Sequence, residues 1–209
     1  MIQEFWTFAT DLVLALVSWS FAWRLHHRSR AESSTTSKLW TCVFVSIGLA
    51  ALQGALYHGF RDSLPRPVFV GLSIGTLWSL SATAYFLAMA LLSFGLPRSH
   101  ALYRGLKALL LIKAVFFLVI AVLRTEFLMA ILDYGSSFIF ALVVHLKKFR
   151  HPASPFILGG VAVSIVAATI QQLKISPSPS FNHNDLYHVV QLVGLWLFYK
   201  GSLRVSDAA

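Results

Sequence analysis

The chain is poor in the residues on which a soluble protein relies. Only 12% of its 209 residues are charged, about half the share of a soluble domain. Acidic side chains are the scarcest, with eight Asp and Glu against seventeen Lys and Arg. The single cysteine, Cys42, lies in an apolar run without a second thiol, so neither a disulfide nor a thiolate metal site is expected. The N-terminus, Met1-Ile2-Gln3-Glu4, lacks a positive n-region, and Arg24, Arg28 and Arg30 follow the first apolar run. That order predicts a retained helix with a translocated N-terminus. The tripeptide Leu-Tyr-His recurs at 56–58 and 186–188, too short a match to mark a duplication.

What the chain does have is apolar mass. It is 57% hydrophobic, with a mean hydropathy of +0.71. A membrane-spanning helix takes about 20 such residues, so this length with short loops predicts seven spans and leaves no room for a soluble catalytic domain. The expectation is an all-α polytopic membrane bundle, one domain over 1–209, with spans near 4–25, 39–60, 68–94, 105–123, 127–146, 154–174 and 184–202. Polar punctuation separates them: His26 to Lys38 reads as a loop, Pro65 and Pro67 as helix stops, and Arg124-Thr125-Glu126 as the one break between the fourth and fifth spans.

Basic residues orient the bundle. With the N-terminus outside, the cytoplasmic side holds twelve Lys and Arg, the outer side holds Arg61, Arg66, Arg124 and Lys174, and Lys113 lies within a span. The net charge of +9 is therefore a topology signal, and no nucleic-acid partner is expected. A bacterial inner membrane is the expected location.

Ionisable groups inside lipid are costly and mark function or pairing. His58 ends the second span and Asp62 follows one turn later. His188 lies about one turn into the seventh span, preceded by Asn182, His183, Asn184 and Asp185. Asp133 on the fifth span falls roughly 10 Å below the outer surface, and Gln171 and Gln172 end the sixth. Several helices thus bring His, Asp, Asn and Gln to one level near the outer leaflet. Two imidazoles with carboxylate or amide ligands suit Zn²⁺, which would lower the pKa of a bound water to about 7. Asn184 and His188 share a helix face, whereas His183 lies about 140° from His188 on an ideal helix and joins it only from ahead of the helix proper. The bland readings stand beside this one: Asn182 or Asn184 as a helix cap, His58 as an interfacial histidine, and Lys113 paired with Asp133 or Asp11.

A histidine ending the second helix and a histidine motif opening the seventh resemble the seven-helix superfamily of alkaline ceramidases and progestin and adiponectin receptors. The segment Phe181 to His188 is also similar to one in bacterial membrane proteins of this size. The superfamily resemblance implies a three-histidine zinc site that hydrolyses a lipid amide, built from Ser-x3-His in the second helix, an Asp in the third and His-x3-His in the seventh. His58 and His188 match by position. Gly54 stands where the serine would be, Asn184 stands for the first histidine of the pair, and the third span has no aspartate. The implied ligands are His58, His188 and either His183 or Asn184, with Asp62 or Asp133 as base.

Three functions remain open from the sequence: a zinc-dependent hydrolase of lipid amides or esters, a non-catalytic receptor or sensor whose outer polar cluster binds a small ligand or responds to pH through histidine, and a haem-binding carrier with histidine axial ligands. The orientation is directly testable. A fluorescent protein fused after Ala209 is expected to fluoresce, and a periplasm-dependent phosphatase fused there to be inactive. The reverse pattern would invert the assignment.

Overall fold

The computed structural model describes residues 2–32 and 34–208, apart from the side chains of residues 30–32. Arg30, counted above among the basic residues, and Ser33 in the expected first loop lie outside the described side chains. The chain forms seven helices: α1 (Phe5–Glu32), α2 (Thr35–Phe60), α3 (Arg66–Gly95), α4 (Ala101–Leu123), α5 (Phe127–Lys147), α6 (Ser154–Gln172) and α7 (His183–Ser202). The described residues form no strand. Six helices, α1 to α6, are long and apolar enough to cross a membrane, and the protein is a multi-pass integral membrane protein. In lipid a helix satisfies its own backbone groups, which open strands cannot do. The seventh helix is more polar at its start but packs within the same bundle, against α1 and α6.

The expected loop from His26 to Lys38 is a correction: α1 runs on to Glu32 and α2 begins at Thr35. Hydropathy marks where a helix leaves lipid, and polar residues continue a helix in water without penalty. Ser34 then caps α2, its side chain accepting from the Ser37 backbone. Pro65 and Pro67 do not so much end α2 as begin α3, as its N-cap and a first-turn residue.

Neighbour relations define a ring. α1 packs on α2, α2 on α3, α3 on α5, α5 on α6, α6 on α7, and α7 returns to α1. The fourth helix stands outside, against α3 and to a lesser extent α5. Only Tyr103 and Ala121 of α4 are buried, while Ile112, Phe116, Val119 and Leu123 are exposed. Lipid tails are as apolar as these side chains, so such a surface is at home in a bilayer. What holds α4 is polar. Lys113 Nζ lies 2.8 Å from Asp133 Oδ1 and donates to the Asp133 carbonyl (3.1 Å) and Ser137 Oγ (3.0 Å). Ser81 Oγ of α3 donates to Asp133 Oδ2 at 2.5 Å, and Ser137 Oγ donates to the Ala84 carbonyl at 3.0 Å.

The two ends of the ring differ. We name them the histidine end, where α1, α3, α5 and α7 begin, and the basic end opposite. Toward the basic end the interior is solid: Leu25, Phe44, Leu91, Phe94, Ile157 and Val205 are buried in one cluster. The C-terminal segment closes that end. Asp207 accepts from the backbone N–H of Thr36 (2.7 Å) and Thr35 (3.1 Å) and from Ser34 Oγ (3.2 Å) at the start of α2. Burial alone would raise the Asp207 carboxyl, but these hydrogen bonds outweigh it and hold it below the usual carboxylate range. The cap is thus charged at any physiological pH. Toward the histidine end the ring is hollow, enclosing a cavity of about 710 Å³.

Lys113→Met leaves Asp133 buried without its counter-charge and is expected to cost about 3–5 kcal/mol, read as a lower unfolding midpoint in detergent. Joining it with Asp133→Leu should recover most of the loss. A single variant as stable as the wild type would show that the pair does not anchor α4.

Candidate functional site

The cavity is bounded by all six ring helices and receives no side chain from α4. Aliphatic and aromatic residues dominate its depth, while Asp11, His58, Gln171, Asn184 and His188 stand toward the histidine end. This division arises from helix spacing. On α1, Thr7, Thr10 and Asp11 fall at i, i+3 and i+4, hence on one face. On α7, Asp185 and His188 are three apart, and on α2, Gly54 and His58 are four apart.

The start of α7 is held in place before it presents anything. Asn182 caps it, accepting from the Asn184 and Asp185 backbone (2.7 and 3.4 Å), while Asp185 Oδ2 accepts from the Asn182 backbone at 2.6 Å. This is a capping box. The other oxygen of Asp185 accepts a hydrogen bond of 2.6 Å from Thr7 Oγ1 on α1. Of the two asparagines expected as caps, Asn182 has that part, and Asn184 borders the cavity.

One turn deeper, His188 Nε2 lies 3.2 Å from Asp11 Oδ1, and His188 Nδ1 lies 2.9 Å from Thr10 Oγ1. The Thr10 hydroxyl is also 2.8 Å from the Trp6 carbonyl. Its single proton can point to the ring or to that carbonyl, so both ring nitrogens have partners whether the imidazole carries one proton or two. Asp11 and His188 are both buried, and an unpaired charge there would be expensive. Asp11 packs closely against a glycine of α2: a Cβ at Gly54 would lie 3.0 Å from Asp11 Oδ2, so a side chain there would push the carboxylate by a few tenths of an ångström. The site thus fills from α1 the space left by a missing side chain on α2. Among the described residues no donor meets Asp11 Oδ2, which faces the cavity boundary with Gly54. On α2, His58 Nδ1 lies 2.8 Å from Glu4 Oε2, and Arg61 extends this pair at 3.9 Å from Glu4 Oε1.

The residues expected from sequence therefore divide. His58, His183, Asn184 and His188 border one cavity. Asp62 does not: it is exposed in the turn after α2, where its backbone donates to Gln3 Oε1 at 3.0 Å. Asp133 does not either, because it faces Lys113 and Ser81. The carboxylates beside the histidines are Glu4 at His58, to which sequence reasoning gave no part, and Asp11 at His188, which it considered only as a partner for Lys113. The one signal of Asp11 was an acidic residue within an apolar run, and no spacing tied it to His188.

A tetrahedral zinc site needs ring nitrogens or carboxylates free to converge. Asp11 and Thr10 take both nitrogens of His188, Glu4 takes Nδ1 of His58, and no three His, Cys, Asp or Glu among the described residues are grouped to hold a metal. In this arrangement the donor set does not fit zinc. What it offers instead is a row of hydrogen-bonding groups beside a greasy interior.

Comparison with known proteins gives a family without a function. DUF6962, a family of unknown function, matches residues 6–207, and the chain belongs to it. No curated protein and no solved structure matches.

Asp11 and His188 should be energetically coupled. In a double-mutant cycle of Asp11→Ala and His188→Ala, the coupling is expected at about 1–3 kcal/mol, measured by unfolding in mixed detergent micelles. Simple additivity of the two single losses would show that the contact carries no energy.

Proposed function

We propose that this DUF6962 member is a membrane binding or sensing protein for a lipid or another amphipathic molecule. Its tail would lie in the cavity and its headgroup would meet Asp11, His58 and Asn184. The observation that carries this reading is the cavity itself, about 710 Å³, within the range of about 300–1,000 Å³ typical of ligand pockets. Its charged and imidazole groups gather toward one end, and the deeper polar residues Thr83, Ser164 and Gln191 are hydrogen-bonded within the protein, which is the polarity pattern of an amphiphile. In this reading α7 is the seventh crossing and the N-terminus is outside, so the headgroup groups lie at the outer leaflet. Lipid hydrolysis assisted by zinc is the second reading, favoured by the approach of two histidines to one cavity. It would require His188 to exchange Asp11 or Thr10 for the metal.

Lipid extracted from protein purified in a mild detergent tests the first reading. Near-stoichiometric lipid is expected with the wild type. At least about a tenfold weaker hold, or 1.4 kcal/mol, is expected with Ala168→Phe, which fills the cavity wall. Equal lipid in both proteins would sink the proposal. So would stoichiometric zinc that is lost in His58→Ala and His188→Ala.

A further inference from the structure

The cavity has a built floor. Phe198 of α7 is buried and clamped on three sides. Its ring lies 6.0 Å from that of Trp40 and 6.2 Å from that of Phe138, nearly parallel to the latter at 28°. On the third side Gly160 of α6 lets it approach so closely that a Cβ there would lie 2.8 Å from the ring. Trp40, Phe138 and Phe198 all border the cavity. Beyond them the interior is the solid cluster of Leu25, Phe94, Ile157 and Val205, none of which borders it. Helix geometry explains the division of labour. Side chains tilt toward the N-terminus of their own helix, so Phe198 leans up into the cavity, and Trp40, on an antiparallel helix, leans down and backs it.

We infer that the Phe198–Trp40–Phe138 floor measures the ligand's hydrocarbon chain, so that the protein selects amphiphiles by chain length. The inference rests on the amphiphile reading above. His188, at the polar end, and Phe198 are ten residues apart on one helix, roughly 15 Å. That is the reach of an extended chain of medium length, near lauroyl. A shorter chain leaves apolar surface uncovered, losing about fourfold in affinity per methylene. A longer one must displace clamped aromatic rings, and a single misfitting methylene in a tight pocket costs about tenfold or more in affinity.

The test uses the full-length protein in amphipol, whose alkyl chains are bound to a polymer so that no free detergent monomer competes, and a series of lysophosphatidylcholines from octanoyl to stearoyl, with binding read by calorimetry. A profile peaking at medium length is expected, with affinity for stearoyl at least about tenfold below the peak. Ile47→Trp, which intrudes on the cavity seven residues above Trp40 on α2, should move the peak to shorter chains. Phe198→Ala should move it to longer ones. Affinity that rises steadily through stearoyl, or a peak that moves in neither variant, would overturn the floor while leaving amphiphile binding intact. Absence of binding at every length would overturn both.

Discussion

A polar side chain buried between membrane helices has no water to bond, so it must find its partner in the protein. The closure of α1 against α7 follows from that constraint. Thr7 and Asp185, and Asp11 and His188, are polar residues on helices at opposite ends of the chain, and each pair satisfies itself across the junction. Apolar packing alone discriminates weakly between one helix neighbour and another in lipid, because the tails compete on equal terms. Polar pairs do discriminate. They specify which face of α1 meets which face of α7, and with that seam fixed the six-helix ring is closed and its interior becomes a cavity.

The same constraint sorts the remaining polar groups into two kinds. Lys113, Asp133, Ser81 and Ser137 form a compact set in which each group answers another, and it serves to hold α4 on the outside of the ring. The groups at the cavity are less fully answered by protein. Asp11 Oδ2 and the second nitrogen of His58 have no described protein partner, yet both residues border the cavity. Gly54 links the two halves of this arrangement. By lacking a side chain it leaves the Asp11 carboxylate room beside α2, and α1 supplies the acid there.

Packing is distributed to match. The basic end is solid and tied by the Asp207 cap, so the helices are held firmly where they meet. The histidine end is hollow and bordered by a capping box, a histidine–aspartate pair and a histidine–glutamate pair. A rigid half supporting an open half is a sound plan for a binding site, because preorganised walls reduce the ordering cost of the bound state.

Much of this was legible from the chain alone. Apolar runs and their breaks located all seven helices, missing the polar end of α1 and the polar first turns of α2 and α4. Counting residues from the loops also placed His58, His183, Asn184 and His188 at one level, and they do border one cavity. Depth along a helix is a local quantity, about 1.5 Å for each residue, and sequence determines it. The direction in which a residue points around the helix axis has no meaning until neighbours are present. Asp133 and Tyr134 are adjacent in sequence, but a turn of about 100° per residue sends the first to Lys113 and the second to the cavity. Asp11 reaches His188 because α7 returns to α1. Which side chains meet was therefore decided by the closure of the ring, a contact between the two ends of the chain that no local pattern encodes.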